Sequence, residues 1–148
     1  MIMQQLITRL HAGEYACVIA HAGEVRTFTR RGVADLFQLY THEPAFLQGA
    51  FAADKVIGRA AAFLLVAGGV REVYADVLGT SARCLLEKAG IIVTCAREVQ
   101  VILNRTGNAP CPLETLCAGA TTVQEALPLI TCFIRERMRA VSCPDHDK

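Results

Sequence analysis

Apolar positions in this chain fall first at helical and then at strand spacing. Ile2, Leu6, Ile7 and Leu10 share one helical stripe, which predicts an amphipathic helix over residues 2 to 11, ended by Gly13. Tyr15 to Ala20 is a short apolar run, and Val25 to Thr29 alternates. The turn signal His21-Ala-Gly-Glu24 joins them as a hairpin. Val33, Leu36, Phe37 and Tyr40 return to helical spacing, and the chain turns near Pro44.

The stretch Gly49 to Gly69, GAFAADKVIGRAAAFLLVAGG, organises the rest. It predicts an extended approach over Phe46 to Ala53, with Asp54 as the N-cap of a helix running Val56 to Ala67. Gly68-Gly69 closes that helix. A helix apolar all round is buried, not amphipathic. Val70 to Leu78 alternates as a strand, and Gly79-Thr80-Ser81 turns into a helix over Ala82 to Ala89. Gly90 ends that helix, and Ile91 to Cys95 reads as a buried strand. Glu98 to Leu103 alternates without settling its type. Helix, strand, helix, strand with short connections predicts a parallel sheet with right-handed crossovers. With the leading hairpin the fold class is α/β, a three-layer sandwich around a mixed sheet.

Asn104 to Pro112 is irregular, and Leu113 to Cys117 reads as a helical turn. Thr122-Val-Gln-Glu125 fits a capping box opening an extra C-terminal helix that runs to about Arg139. Pro128 lies well inside it and predicts a kink or a restart. Residues 1–140 then form one domain, and 141–148 a polar tail.

Composition narrows the function classes. Fifteen Lys and Arg against fourteen Asp and Glu give a net charge of +1, too little to steer the chain toward nucleic acid or anionic lipid. Aromatics at 6%, with no Trp, argue further against base stacking. A hydrophobic fraction of 53% calls for a large core, an apolar oligomer interface, or both. No apolar run approaches the ~20 residues a membrane span needs, and the start lacks a leader pattern, so a cytoplasmic location is expected. The seven cysteines contain no CxxC pair and are expected as reduced thiols, with no disulfide and no metal site.

Three places could carry chemistry. In the predicted helix start, Asp54 suits the cap, whereas Lys55 opposes the helix dipole and needs a compensating anion. Cys111 stands between Pro110 and Pro112 without an apolar run to bury it. Near Lys55 or a helix N-terminus its thiol would be a usable nucleophile; otherwise it is a spectator in a rigid turn. Asn104, Arg105 and Glu114 flank it and could orient a small polar ligand. Thr80 and Ser81 sit at a strand-to-helix turn, where open α/β sheets bind ligands; their simpler role is helix capping. His11, His21 and His42 are scattered without metal-ligand spacing.

The DKVIGRAAA block, the Gly79 turn and the NR-x-G…CP-x-E block resemble a small bacterial family catalogued only as a domain of unknown function, over roughly residues 12 to 118. Its structural relatives are cytidine-deaminase-like. The resemblance implies five strands with helices on both faces, and recurrent residues at Asp54, Lys55, Asn104, Arg105, Cys111 and Glu114. Zinc deaminases need His or Cys ligands and a Glu proton shuttle. Here Ala-Asp54-Lys55-Val and Leu78-Gly-Thr-Ser-Ala stand in the two motif positions, so zinc-dependent deamination is rejected and no cofactor is expected. Two functions follow from the sequence. One is a metal-free pseudoenzyme site for a small anionic or nucleotide-like ligand, with Cys111 and Lys55 as its reactive pair. The other is a non-catalytic homo-oligomer or scaffold module.

Overall fold

A computed structural model describes residues 2–30, 33–103 and 111–142. Helix α1 (Ile2–Ala12) precedes a hairpin of β1 (Cys17–His21) and β2 (Glu24–Phe28). Its two turn residues, Ala22 and Gly23, both have positive φ, 50° and 85°. Their mirror-image turn matches the strand twist, as a two-residue hairpin requires. Helices α2 (Ala34–His42) and α3 (Pro44–Leu47) follow; the sequence shows α3 only as a turn at Pro44. Pro44 is its first residue, where a missing N–H is not needed.

Strand β3 (Phe51–Ile57), helix α4 (Arg59–Gly68), strand β4 (Glu72–Gly79), helix α5 (Thr80–Lys88) and strand β5 (Ile92–Val99) form the alternating middle. The sheet order is β2-β1-β3-β4-β5. Strand β1 pairs antiparallel with β2 and β3, while β3, β4 and β5 are parallel. This is the mixed α/β sandwich expected from the pattern, with the five strands that the family resemblance implied. One large core cluster joins the sheet to α2, α3, α4, α5 and the later helices. A second, built on Leu6, Leu10, Val18, Ala53 and Tyr74, lies under α1 on the other face.

The boundary at Asp54 differs from expectation. The extended segment does not stop at Ala53 but continues to Ile57, so Asp54 and Lys55 lie inside β3 and cap no helix. Alanine-heavy sequence favours a helix locally. Pairing with β1 on one side and β4 on the other overrides it, with Asp54 opposite both Cys17 and Ala75. Gly58 then breaks the strand, and α4 begins at Arg59. Residues Ala60 to Leu65 are all buried, as an all-round apolar helix demands. Gly69, at φ 77°, ends α4 in the left-handed conformation, its N–H donating to the carbonyls of Leu65 and Val66.

The parallel strands share one irregular row. Pairing passes over Lys55, Asp76 and Ala96, and the inward positions step by two and then by three, as in Val73, Ala75 and Leu78. Cys95 and Glu98 of β5, three apart, both meet Arg83 of α5. The alternation therefore slips by one residue in all three strands together, with the register between them unchanged. Ile57 and Leu78 turn into the main core, and Val56 turns out, 39% exposed.

Helix α6 (Pro112–Leu116) is the expected helical turn, and α7 (Val123–Ser142) the C-terminal helix. The α7 cap is close to the predicted box: the Glu125 N–H donates to Thr122 Oγ1 (3.2 Å), and Glu125 Oε1 accepts from the Thr121 N–H (2.8 Å). Of the expected kink or restart at Pro128, there is no restart: one helix runs through the proline. Ala126, Ile130 and Ile134 are buried on both sides of the proline. Burial at about 1.5–3 kcal/mol per large side chain offsets the ~3 kcal/mol a helical proline costs.

Candidate functional site

The carboxyl ends of β3 and β4 lie side by side, each ending in a glycine and each followed at once by a helix. Gly58 stands before α4 and Gly79 before α5, and neither helix has a side-chain cap on its own N-cap residue. Ile102, 8% exposed, packs over both: its Cγ1 lies 3.3 Å and 3.5 Å from where Cβ atoms on Gly58 and Gly79 would stand. The Ile102 carbonyl accepts the Cys111 N–H at 2.8 Å, which ties α6 to the same place.

Helix α6 supplies what α4 lacks. Glu114 Oε2 accepts the Arg59 backbone N–H at 2.5 Å, so a carboxylate 55 residues away in sequence caps α4 and meets the positive end of its dipole. Only glycine permits this at position 58, because a Cβ there would overlap Oε2 and sit 2.9 Å from Cδ of Glu114. Arg59 answers in the other direction. Its Nε donates to the Cys117 carbonyl at 3.0 Å, and its Nη2 to the Ala120 carbonyl. The two elements clasp each other through one carboxylate and one guanidinium.

Cys111 is the N-cap of α6 and its carbonyl accepts the Glu114 N–H (2.9 Å), while its side chain is half-buried against the main core. Cys117, at the other end of α6, is fully buried, and burial pushes its thiol up. Thr80 is exposed and its hydroxyl donates to the Val99 carbonyl at 3.2 Å; Ser81, half-buried, follows in the first turn of α5. Both belong to the first turn of α5, and the N-cap expected of one of them is Gly79. Thr80, Ser81, Cys111 and Glu114 thus come to the same end of the sheet. Asn104 and Arg105 lie outside the described residues.

Asp54 and Lys55 lie within β3, upstream of Gly58. Asp54 faces Cys17 across the β1–β3 pair, and its Oδ1 accepts the Val56 N–H at 3.3 Å. Burial pushes its carboxyl up to about 7, against the hydrogen bonds from Val56 and Cys17 that favour the charged form. The Cys17 thiol is pushed well up by burial, and the Asp54 carboxyl beside it adds to the shift. The side chain of Lys55 is exposed, and its backbone N–H donates to the Ala16 carbonyl at 3.0 Å. Among the described residues no ion pair or hydrogen bond joins Lys55 to Cys111.

Sequence reasoning missed Gly58, Arg59 and Ile102. The one available signal was the Gly58-Arg59 pair, a glycine and a cation interrupting the apolar stretch. It also missed a small network on the α1 face. His11 Nε2 lies 2.8 Å from Asp76 Oδ1, and the Tyr74 hydroxyl donates to the same oxygen at 2.6 Å. Burial, with the neighbouring carboxylate, pushes the Tyr74 phenol up to about 12.

Residues 5–134 match the family model of a domain of unknown function, DUF1893. No curated protein matches the chain. Among solved structures, a DUF1893 family protein from Thermotoga maritima superposes with a TM-score of 0.80 at 18% identity, covering 87% of each chain. At that identity the likeness shows the fold alone. RibD of Acinetobacter baumannii matches 63% of this chain and 33% of its own, at 22% identity and a TM-score of 0.44, too remote to bear on function. A family model spanning most of the chain settles its membership: the protein belongs to the DUF1893 family.

Proposed function

We propose that the protein binds a small anionic or nucleotide-like metabolite at the carboxyl ends of β3 and β4, between the first turns of α4 and α5. Thr80 and Ser81 from α5, Cys111 at the N-cap of α6, and Glu114 of α6 line the site. The observation that supports this reading is the convergence of two helix starts and α6 at the place where open α/β sheets bind ligands. The positive end of α4 already carries an anion, the Glu114 carboxylate. An anionic group of the ligand takes that position as Glu114 swings away.

Zinc chemistry of the deaminase kind does not fit this donor set. The helix starts themselves read Gly58-Arg59-Ala60 and Gly79-Thr80-Ser81, without the His, Cys and Glu of the deaminase motifs, and the neighbouring Glu114 carboxylate is already engaged by the Arg59 N–H. A covalent step at Cys111 is not part of the reading, because among the described residues no ion pair or hydrogen bond joins Lys55, the expected activating cation, to it.

Thermal unfolding with added inorganic phosphate, AMP and ADP tests the proposal, on the wild type and on Glu114→Gln. A ligand at ten times its Kd stabilises by about 1.4 kcal/mol, which is roughly 3–5 °C for a chain of this size. The expected result is a shift in both proteins, larger in Glu114→Gln, where the internal competitor is weakened. No shift in either protein with any of the three at 10-fold millimolar excess overturns it.

A further inference from the structure

Asp54 and Lys55 take no part in the proposed site. Lys55 is exposed, but Asp54 turns inward. Along β3, Ala52 belongs to the main core and Ala53 to the cluster under α1, so alternation directs Asp54 at the main core. Its partner across the β1–β3 pair is Cys17, buried in that same core. The pair lies on a seam of the sheet. Strands β3, β4 and β5 are parallel, and the antiparallel β1–β3 pairing alone joins the hairpin to them.

A core-facing carboxylate needs a cation or strong donors to stay charged. Asp54 has weak donors only, the Val56 N–H at a long 3.3 Å and the Cys17 thiol. Among the described residues no cation pairs with it. Its neighbours are acids and a thiol. Strand β1 brings Cys17. Helix α2 brings Asp35, already paired with Arg30 at 2.5 Å, while Tyr40 and His42 lie at the opposite end of that helix. Strand β4 brings Asp76, held by His11 and Tyr74. The one charged residue of α4, Arg59, is committed to the carbonyls of Cys117 and Ala120.

We propose that Asp54 is a proton-operated latch on this seam: with its proton, β1 closes against β3, and without it the hairpin swings off the parallel half of the sheet. The latch does not depend on a ligand. Burial pushes the carboxyl up to about 7, which sets the change near neutral pH. The hairpin has few other ties, since β1 contacts chiefly β2, β3 and α1. Its release leaves α4, α5 and the parallel strands together. In the open seam Asp54 meets water and titrates at the ordinary carboxylate value. Opening therefore rises with pH up to about 7 and then levels.

Hydrogen exchange of the full chain, followed amide by amide at about pH 6 and about pH 8 and corrected for intrinsic rates, tests this. The reporter is the Lys55 N–H, which crosses the seam to the Ala16 carbonyl at 3.0 Å. The reference is the Ala62 N–H inside α4, which donates to the Gly58 carbonyl at 3.0 Å. In the wild type, Lys55 protection is expected to fall about tenfold between the two pH values and to stay about tenfold or more below that of Ala62. In Asp54→Asn, which has no proton to lose, Lys55 protection is expected to change by less than about twofold. Wild-type Lys55 protection that is equal at both pH values overturns the proposal. So does protection equal to that of Ala62, which means that Asp54 meets water only when the whole chain unfolds. A tenfold fall that persists in Asp54→Asn overturns it as well. If Asp54→Asn loses its fold, the two wild-type comparisons decide.

Discussion

Replacing Gly58 by alanine probes the clasp between α4 and α6 more sharply than removing either charge. The backbone at Gly58 has φ −108° and ψ −166°, an extended conformation that alanine adopts freely. Any cost is therefore steric. The added Cβ overlaps Oε2 of Glu114 and lies 3.3 Å from Ile102 Cγ1, so the flexible carboxylate must swing off the Arg59 N–H. A hydrogen bond to a charged acceptor contributes about 1.5–3 kcal/mol, and the carboxylate at the helix start a further ~0.3–1 kcal/mol. Alanine recovers about 0.4–1 kcal/mol by restricting the unfolded chain. The expected net loss is about 1–2 kcal/mol for Gly58→Ala and about 2 kcal/mol for Glu114→Ala. In the double variant nothing is left to displace, so Gly58→Ala should be neutral or slightly stabilising there. Urea denaturation of the four proteins, followed by circular dichroism, reads this as a coupling energy of about 1–2 kcal/mol. If the two losses simply add, Glu114 is not the residue that Gly58 accommodates and the reasoning fails.

Asp54 gives a pH dependence with a definite sign. Its folded carboxyl titrates near 7 and its unfolded one near the ordinary carboxylate value, so the folded state holds the extra proton between them. Stability should be full below about pH 4 for this group and should fall as pH rises to about 7. Asp54→Asn should flatten that fall by about 2 kcal/mol, allowing for partial solvent screening; an equally steep profile in the variant would contradict it. Cys111 should react with a thiol reagent at a rate that Lys55→Ala leaves within about twofold, since the pKa dependence of thiol reactivity needs a nearby cation. A tenfold drop in the variant would put Lys55 back beside the thiol.

Elements whose cause is local were legible in the sequence. The hairpin turn, the start of α5 after Gly79, the Gly69 stop and the Thr122–Glu125 cap each follow from a few adjacent residues. The strand identity of Asp54 and Lys55 was not, because alanines prefer a helix and only pairing with Cys17 and Ala75 makes that segment extended. The cap of α4 was hidden for a related reason. Its donor and acceptor, Arg59 and Glu114, are far apart in sequence, and the glycine between them and the strand marks a space, not a side chain. Cys111 and Glu114 were found as candidates from their irregular, proline-flanked setting, and the structure puts them at the start of α4, while Asp54 and Lys55 lie within β3. The slip in the parallel strands had no sequence signal, since Val56, Val77 and Arg97 are ordinary strand residues whose direction depends on their neighbours.

Backbone amide shifts recorded while ADP is titrated into the isotope-labelled protein test the central claim most directly. The account predicts that the largest changes fall on Arg59, Gly79 to Ser81 and Cys111 to Glu114, with the Arg59 amide moving as its carboxylate acceptor is exchanged. Changes confined to other surfaces, or an Arg59 amide that does not move at saturation, would contradict it.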